Sequence, residues 1–275
     1  MKESRPLVVV ITGATNGIGL STKELLKSYG ISTIVCDREP SDDKNYVFLD
    51  LSDPESISEC VRSLPGQIDA LINCAGVAPI TQTNTAVLKI NWFGTKSFTD
   101  AVFTKIKPTG SVTTVASRAG AKWEDNVAQL RQILDTPWDD LTSTLDIDTL
   151  TPARAYELSK ELLIYWSMSR AATQQTVRFN TVSPSSVETR LTPTFKEAFK
   201  SRKLNNDNLR RRQTTPNEIA EAIWFLANPA TASINGIDLK VDQGITAQRK
   251  LTELTQKILG IQHEQTESYD SDRKL

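Results

Sequence analysis

Residues 7–19 constrain the fold of this chain more than any other stretch, because they join a buried-strand signature to a glycine-rich turn. Residues 7–11 read Leu-Val-Val-Val-Ile. Such a run, without polar alternation, is typical of a strand covered on both faces of a parallel sheet. Gly13, Gly17 and Gly19 follow and open a helical pattern. Glycines in this context allow a tight turn and the close approach of a diphosphate to a helix N-terminus, so we expect a dinucleotide site.

The alternation of strand and helix continues along the chain and predicts the fold class. Further strands are predicted at residues 32–36, 46–49, 70–73, 111–116, 177–182 and 237–241. Helices are predicted at residues 20–29, 53–63, 84–106, 155–172 and 217–228. This alternation indicates right-handed βαβ units. The sequence therefore predicts one α/β domain over residues 1–245, a Rossmann-type doubly wound parallel sheet with helices on both faces.

Two charged segments interrupt this rhythm. Residues 121–152 hold seven acidic and two basic side chains, and residues 196–212 hold seven basic and two acidic ones. Solvated helix faces would explain both charge runs, and the alternative is a pair of mobile segments over a site. We expect residues 121–152 to form a helical insertion. Its predicted apolar face consists of Val127, Leu130, Ile133 and Leu134.

The C-terminal residues 246–275 are predicted to add a helix and a polar tail. The helical pattern rests on Leu251, Leu254, Ile258 and Ile261. The tail begins at His263, is almost entirely polar, and is expected to be disordered and solvent-exposed.

Composition argues against several classes of function. Lysine and arginine total 32 against 33 aspartate and glutamate, so no overall field favours nucleic acid or an anionic membrane as partner. The chain has three cysteines and one histidine, Cys36, Cys60, Cys74 and His263. They are too few and too scattered for a zinc site, a Ser-His-Asp triad or a disulfide scaffold. We therefore expect no bound metal, and we expect the cysteines to be small buried apolar residues. The N-terminal apolar run of five residues is too short for a signal peptide. These observations predict a cytoplasmic protein.

Several motifs further along the chain occur in the order of one known family. They are Asn73-Cys74-Ala75-Gly76, Asn91, Ser117, Tyr156-Glu157-Leu158-Ser159-Lys160, Asn180, Pro184, Thr189, Asp242 and Gly244. Together with the glycine turn, they make residues 7–244 resemble the short-chain dehydrogenase/reductase family. The 39-residue spacing from Ser117 to Tyr156 and the run Asn91-Trp92-Phe93-Gly94 look like the subgroup of 3α-hydroxysteroid dehydrogenase/carbonyl reductase and the coniferyl-alcohol dehydrogenases. Ser185 departs from the family, which has glycine after this proline.

The resemblance implies a catalytic set of four residues. Tyr156 would be the general acid/base and Ser117 the donor that polarises the substrate oxygen. Lys160 would hold the nicotinamide ribose and tune Tyr156, while Asn91 would order a water in the proton relay. A tyrosine and a lysine four residues apart share one helix face. A free tyrosine has a pKa near ~10, and a nearby ammonium and an oxidised nicotinamide both favour the phenolate.

The resemblance also implies a set of cofactor-binding residues. Besides Tyr156 and Lys160, it comprises Gly13, Thr15, Asn16, Gly17, Ile18, Gly19, Asp37, Arg38, Asp50, Leu51, Asn73, Ala75, Gly76, Pro184, Val187 and Thr189. Asp37 ends the second strand, where a carboxylate accepts ribose hydroxyls and repels a 2′-phosphate. Arg38 could instead clamp that phosphate, but Asn16 stands where NADP-preferring relatives often carry a basic residue. We therefore expect NAD(H), with NADP(H) as the alternative. Asp50 matches the adenine position, the alternative being a turn residue.

The expected function is an NAD(H)-dependent oxidoreductase that interconverts a primary or secondary alcohol and its carbonyl compound. The alternatives are an NADP(H)-dependent carbonyl reductase and a non-catalytic dinucleotide-sensing regulatory protein. Residues 185–212 are expected to form the substrate loop, and their positive charge suggests an acidic group on the substrate, with Arg211 and Arg212 as candidates to bind it. The resemblance further implies a homodimer or homotetramer.

Overall fold

One parallel sheet organises the computed structural model, which describes residues 6–199 and 212–259. Its seven strands follow the order β3-β2-β1-β4-β5-β6-β7, and every neighbouring pair is parallel. The strands are β1 (Val9–Thr12), β2 (Thr33–Asp37), β3 (Tyr46–Phe48), β4 (Ile68–Asn73), β5 (Ile106–Val115), β6 (Arg178–Pro184) and β7 (Asp238–Val241). This is the predicted Rossmann-type doubly wound sheet, and the fold prediction is confirmed.

Helices connect the strands and cover both faces of the sheet. They are α1 (Gly17–Ser28), α2 (Pro54–Ser63), α3 (Asn84–Leu88), α4 (Thr95–Val102), α5 (Val127–Leu134), α6 (Trp138–Thr144), α7 (Pro152–Thr173), α8 (Thr192–Ala198), α9 (Pro216–Ala227) and α10 (Ile245–Ile258). In the part of the chain that the structure describes, no helix is both long and apolar enough to cross a bilayer.

Successive side chains of β1 enter two separate hydrophobic cores. Val9 and Ile11 pack in the core that contains Leu26 of α1 and Ile223 of α9. Val10 points the other way, into a core to which α2, α4 and α7 contribute. Because neighbouring residues of a strand face opposite sides, a run that is apolar at every position needs both faces covered. Each fully buried large side chain contributes about 1.5–3 kcal/mol of transfer free energy.

The predicted helix over residues 84–106 is interrupted. Between α3 and α4 the chain forms a π-helical segment, Lys89–Gly94, and a short 3-10 turn, Phe103–Lys105, follows α4. The prediction of one continuous helix to residue 106 is therefore wrong, because Ile106 already pairs with Ile68 as the first residue of β5. Gly94 explains the tight packing here, since a Cβ at this position would lie 2.0 Å from the Leu51 carbonyl oxygen.

The insertion at residues 121–152 is helical, as predicted, and consists of α5 and α6 with flanking 3-10 turns. Leu130 and Ile133 are buried, and Leu134 packs partly against the same core. Val127 is 38% exposed, so its predicted place on the buried face is wrong. Val127 is the first residue of α5, and the residues of this helix that are buried in the core, Leu130 and Ile133, come later. Asn84 fixes the end of the insertion by donating to the Ile147 carbonyl at 3.3 Å.

The C-terminal helix α10 begins where Asp242 accepts the backbone N–H groups of Gly244 and Thr246, at 3.0 and 2.8 Å. The predicted C-terminal helix is confirmed, but the side chains of its apolar pattern, Leu251, Leu254 and Ile258, are exposed rather than packed against the core. Ile261 and the polar tail from His263 lie outside the described residues. The division into residues 1–245 and 246–275 stays a prediction.

Candidate active site

A cleft of about 1050 Å³ lies at the carboxyl ends of the strands. The chain runs from β1 outward to β3 on one side of the sheet and from β4 to β7 on the other. The connections that leave β1 and β4 therefore lead to opposite sides of the sheet, and a crevice at such a switch point is where open α/β sheets bind ligands. The cleft extends from Asp37 on the β2 side to Arg249 of α10 on the β6 side.

The glycine turn forms one wall of the cleft, with Gly13, Asn16, Gly17, Ile18 and Gly19 among its lining residues. Gly13 has φ +69°, and a Cβ there would lie 2.6 Å from the Ala75 backbone nitrogen. Only glycine meets both conditions without strain.

The first turn of α1 is free to meet an anion. Its N-cap residue, Asn16, makes no side-chain capping hydrogen bond, and no acidic residue stands in that turn. Helix N-termini carry unsatisfied N–H groups and a partial positive charge. This arrangement fits the diphosphate of a dinucleotide, which would be held by backbone groups rather than by side chains.

Asp37 is the last residue of β2, and hydrogen bonds hold its carboxylate in place. Its Oδ2 accepts the Thr15 backbone N–H at 3.0 Å and the Thr15 hydroxyl at 2.7 Å. Its Oδ1 accepts the backbone N–H of Glu39 at 3.1 Å. Asp37 and Arg38 both line the cleft, whereas Thr15 stands behind and ties the glycine turn to the carboxylate. The negative charge therefore cannot turn away from a ligand on this side.

Asp50 makes the contacts of a turn residue and also lies on the cleft wall. Its Oδ1 accepts the backbone N–H of Ser52 at 2.8 Å and the Ser52 hydroxyl at 2.6 Å, which is a turn role. Asp50 and Leu51 also line the cleft. Partial burial opposes ionisation of Asp50, but the Ser52 hydrogen bonds outweigh it and lower the pKa of the carboxyl. An ionised acceptor thus lies beside Arg38.

Asn73 lies beneath the cleft, while its neighbours Ala75 and Gly76 line it. The Asn73 side chain is buried and donates to the hydroxyls of Thr99 and Thr114, at 3.0 and 3.2 Å. It therefore joins β4 to α4 and β5. The structure places this residue as a support of the cleft floor, whereas Cys74, Ala75 and Gly76 of the motif line the ligand space.

Tyr156 and Ser117 meet in the middle of the cleft. Ser117 follows β5 and caps a short 3-10 turn by accepting the Ala119 N–H at 3.1 Å. Tyr156 lies on α7 and is only 6% exposed. Burial raises the pKa of the Tyr156 phenol well above its usual value, and the interaction with the Ser117 hydroxyl partly lowers it. The phenol is therefore neutral at pH 7 and ready to donate.

Lys160 lies one turn after Tyr156 on α7. Its Nζ donates to the Val115 carbonyl at 3.1 Å and lies 5.6 Å from the centre of the Tyr156 ring. Burial lowers the pKa of the Lys160 ammonium to about 8, against a small opposing effect of Cys74. Gly120 allows this approach, since a Cβ there would lie 2.8 Å from the Lys160 backbone. A positive charge next to the phenol lowers the free energy of the phenolate.

Asn91 lies within the π-helical segment, behind Gly76. Its Oδ1 accepts the Val77 backbone N–H at 2.7 Å, and its Nδ2 donates to the Val77 carbonyl at 2.9 Å. The side chain is buried and fixes the loop after β4. The structure thus brings Ser117, Tyr156 and Lys160 to the cleft and places Asn91 next to it as a positioning residue.

The loop after β6 forms the opposite wall. Pro184, Val187 and Thr189 line the cleft, as does Ser185. The Thr189 methyl carbon lies 3.7 Å from where a Cβ of Gly17 would be, so this loop approaches the glycine turn. Ser185 donates its backbone N–H to the Val241 carbonyl at 3.3 Å, which continues the pairing of β6 with β7.

Sequence reasoning missed the residues that cover Tyr156 and close the substrate side. Phe195 and Phe199 place their rings edge-on to Tyr156, with centroids 5.1 and 6.4 Å away. Lys122, Lys196 and Arg249 also line this side. The described part of the predicted substrate loop, residues 185–199, lies on the cleft. Neither the aromatic pair nor Arg249 belongs to a local motif, although the excess of basic residues was a signal.

Arg212, one of the two arginines predicted to bind an acidic substrate group, lies away from the cleft. Arg212 forms an ion pair with Glu218 at the start of α9 and is not among the residues that line the cleft. That pair lowers the pKa of the Glu218 carboxyl, mainly through the hydrogen bond from Arg212. The expectation for Arg212 is wrong for this reason, and Arg211 lies outside the described residues.

The cysteines have two different environments. Cys36 and Cys60 are buried in the core, with their sulfurs 3.7 Å apart. Cys74 is half-buried and lines the cleft, and burial raises the pKa of its thiol to about 12. The expectation of buried apolar roles is confirmed for Cys36 and Cys60, while Cys74 is part of the cleft wall. His263 lies outside the described residues.

Comparison with family models gives two matches along the chain. Residues 7–128 match the model described as short chain dehydrogenase. Residues 140–246 match the model described as Enoyl-(Acyl carrier protein) reductase. The two matches contain the glycine turn and Ser117 in the first and Tyr156 and Lys160 in the second.

Similar proteins share this architecture over nearly their whole length. A coniferyl-alcohol dehydrogenase of Pseudomonas sp. (strain HR199 / DSM 7063) is 34% identical over 247 residues, 87% of this chain and 96% of that protein. A 3-alpha-hydroxysteroid dehydrogenase/carbonyl reductase of Comamonas testosteroni is 25% identical and covers 90% and 99%. The crystal structure of a 3-alpha-hydroxysteroid dehydrogenase from Pseudomonas sp. B-0831, complexed with NADH, has a TM-score of 0.77 at 28% identity and covers 89% and 98%.

Proposed function

The chain belongs to the short-chain dehydrogenase/reductase family, and from that membership we propose that it is an NAD(H)-dependent oxidoreductase that interconverts an alcohol and its carbonyl compound. The observation that carries the proposal is the joint burial of Tyr156 and Lys160 beside Ser117, in one cleft with the glycine turn. A dinucleotide site alone would need no buried phenol paired with a buried ammonium.

The residues of the cleft fit a dinucleotide from one end to the other. Asp37 and Asp50 are acceptors for the adenosine ribose and the adenine, and the start of α1 holds the diphosphate. Lys160 binds the nicotinamide ribose hydroxyls, with Thr189 on the opposite wall. The bound nicotinamide supplies or accepts the hydride.

NAD(H) is favoured over NADP(H) by the fixed carboxylate of Asp37. Three hydrogen bonds, two from Thr15 and one from Glu39, prevent this side chain from moving aside. A ribose 2′-hydroxyl can donate to the carboxylate, whereas a 2′-phosphate would meet its negative charge. Arg38 also lines the cleft, so the alternative is that this guanidinium binds the phosphate and the protein is an NADP(H)-dependent carbonyl reductase.

Side chains of this protein transfer the proton to and from the substrate oxygen. In the direction of reduction, Tyr156 Oη donates its proton to the substrate oxygen, and in oxidation the phenolate takes the proton from the alcohol. Ser117 Oγ donates to the same substrate oxygen and holds it against Tyr156. Lys160 Nζ stabilises the phenolate, and Asn91 keeps the loop next to this group in place. Phe195 and Phe199 exclude water from the phenol.

A homodimer or homotetramer in the cytoplasm is the further expectation that family membership supports. Size-exclusion chromatography with light scattering measures the assembly directly. A mass of one chain across a range of concentrations would contradict it.

Two measurements test the proposed function. Titration with NADH and NADPH reports the cofactor, and we expect NADH to bind at least tenfold more tightly. A panel of alcohols with NAD⁺, and of aldehydes and ketones with NADH, reports turnover through the nicotinamide absorbance. Tight NADH binding without turnover on the whole panel would favour the dinucleotide-sensing alternative, and tighter binding of NADPH would favour the carbonyl-reductase alternative.

A further inference from the structure

Basic side chains from three separate elements line the substrate side of the cleft, and the proposed reaction uses none of them. Three of the basic residues that line the cleft are Lys122 in the insertion, Lys196 on α8 and Arg249 on α10. We propose that the substrate carries an anionic group at the end remote from its reacting carbon, and that Arg249, with Lys196 and Lys122, binds that group. This proposal rests on the proposed function and names the substrate class for the same site.

The sheet order separates these charges from the cofactor. Asp37 and Arg38 follow β2, on one side of the switch point, and receive the adenosine end. Lys196 lies on the same short helix as Phe195, whose ring contacts Tyr156, so it stands beside the reacting group. The basic residues therefore lie beyond Tyr156 as seen from the adenosine site.

Arg249 reaches this side through a contact of α10 with the insertion. Glu253, one turn after Arg249, lies 3.9 Å from Lys122, and Lys122 follows the turn that packs Gly120 on Lys160. Arg249 and Lys122 are half-buried in the wall, and Lys196 is exposed at the rim. The C-terminal helix thus adds a cation to the cleft while leaving its apolar side chains exposed.

The protein pairs part of the positive charge on this side, since Lys122 lies 3.9 Å from Glu253. Among the residues that the structure describes, Lys196 and Arg249 have no carboxylate within ion-pair distance. Glu157 also lines the cleft and is buried, and Arg154, 3.9 Å away, is shared with Glu161, to which it donates two hydrogen bonds. Lys196 and Arg249 therefore supply the positive charge that attracts an anion, and an arginine can hold a carboxylate with two parallel hydrogen bonds.

Large apolar side chains also line the cleft near Tyr156, among them Leu191, Phe195 and Phe199. The substrate class is therefore an amphipathic molecule with a hydroxyl or carbonyl at Tyr156, an apolar or aromatic body, and an acid at the far end.

Binding of matched alcohols to the NADH complex tests the proposal without turnover, because an alcohol and NADH cannot react. The probes are p-(hydroxymethyl)benzoate, its longer homologue p-(hydroxymethyl)phenylpropanoate, a sulfonate of the same shape, and the methyl ester of each carboxylate. Calorimetry measures their affinities for wild type, Arg249→Gln and Lys196→Gln. Lys257→Gln is the matched control, since it removes an exposed cation of α10 outside the cleft.

We expect at least one acid to bind tenfold or more tightly than its ester, and Arg249→Gln to remove most of that difference. Lys196→Gln should remove a smaller part, and Lys257→Gln none. Equal affinities of every acid and ester, or a preference that survives when Arg249→Gln and Lys196→Gln are combined in one chain, would overturn the proposal. Turnover of the esters with NAD⁺ is measured in parallel. An enzyme that turns over the esters but binds acids no more tightly than esters contradicts this proposal alone. Absence of turnover defeats the proposed function instead.

Discussion

The two halves of the cleft are built by different means. On the β1–β2 side, a ligand meets backbone groups of a glycine turn and one carboxylate held by Thr15. On the β5–β6 side, it meets side chains from α7, α8, α10 and the insertion, which are far apart in the sequence. Changes in the first half should therefore alter stability and cofactor choice, whereas changes in the second should alter turnover and substrate choice.

The largest effect is expected on the substrate side from Tyr156→Phe. Loss of the phenolic proton should lower kcat about 10²–10⁴-fold, the usual contribution of a general acid/base. NADH affinity should stay within about twofold, because the diphosphate and adenosine contacts lie in the other half. Steady-state kinetics and fluorescence titration measure the two quantities. An equal loss of both would show that the halves are not separable.

On the cofactor side, the next largest effect is expected from Gly13→Ala. A Cβ there would lie 2.6 Å from the Ala75 backbone, and φ is +69°, so the free energy of unfolding should fall by about 3 kcal/mol or more. Gly30→Ala is the matched control. Gly30 has φ +73°, and no atom would lie within 4 Å of a Cβ added there. This variant should therefore lose only about 1 kcal/mol of the free energy of unfolding. Urea unfolding without cofactor compares them, and similar losses would mean that the close approach to Ala75 is unimportant.

Asp37→Asn tests cofactor choice with little change of shape. A hydrogen bond to a charged acceptor contributes about 1.5–3 kcal/mol, so the ratio of NADH to NADPH affinity should fall about tenfold to a hundredfold. Asp42→Asn is the control, because it removes the same charge from an exposed position outside the cleft. Titration with both cofactors gives the ratio. An unchanged ratio in Asp37→Asn would assign the preference to another residue.

The smallest effect concerns the buried charge of Lys160. Its pKa falls from an ordinary 10.5 to about 8 on folding, so between these pH values the unfolded chain binds more protons. Stability should therefore rise with pH above about 8, by about 1 kcal/mol per unit at most. Above pH ~10, ionisation of Tyr156 in the unfolded chain opposes the gain. Ionisation of Cys74 in the unfolded chain opposes it already from pH ~9, because burial raises the pKa of this thiol to about 12. Thermal unfolding without cofactor should therefore show the rise in wild type between about pH 8 and 9, and its persistence in Lys160→Met would contradict this assignment.

The contrast between the halves also explains what the sequence could predict. The glycine turn, Asp37 and the Tyr156–Lys160 pair are short motifs at strand ends or one helix turn apart, and they indicate both fold and cofactor. The break of the helix at Lys89–Gly94 depends on how closely Gly94 approaches Leu51, a contact between distant segments. The exposure of Val127 and the arrival of Arg249 likewise depend on tertiary packing, to which no local pattern points.

The transfer of deuterium from labelled NADH to a carbonyl carbon tests the central claim most directly. Wild type is incubated with aldehydes from the panel and NADH deuterated at either prochiral position of the nicotinamide C4, and the alcohol is analysed by mass spectrometry. We expect one deuterium on the carbinol carbon from one of the two labelled forms, and a rate lowered at least a hundredfold in Tyr156→Phe. NADH binding with no transfer to any carbonyl would contradict the claim and leave a dinucleotide-binding protein without this chemistry.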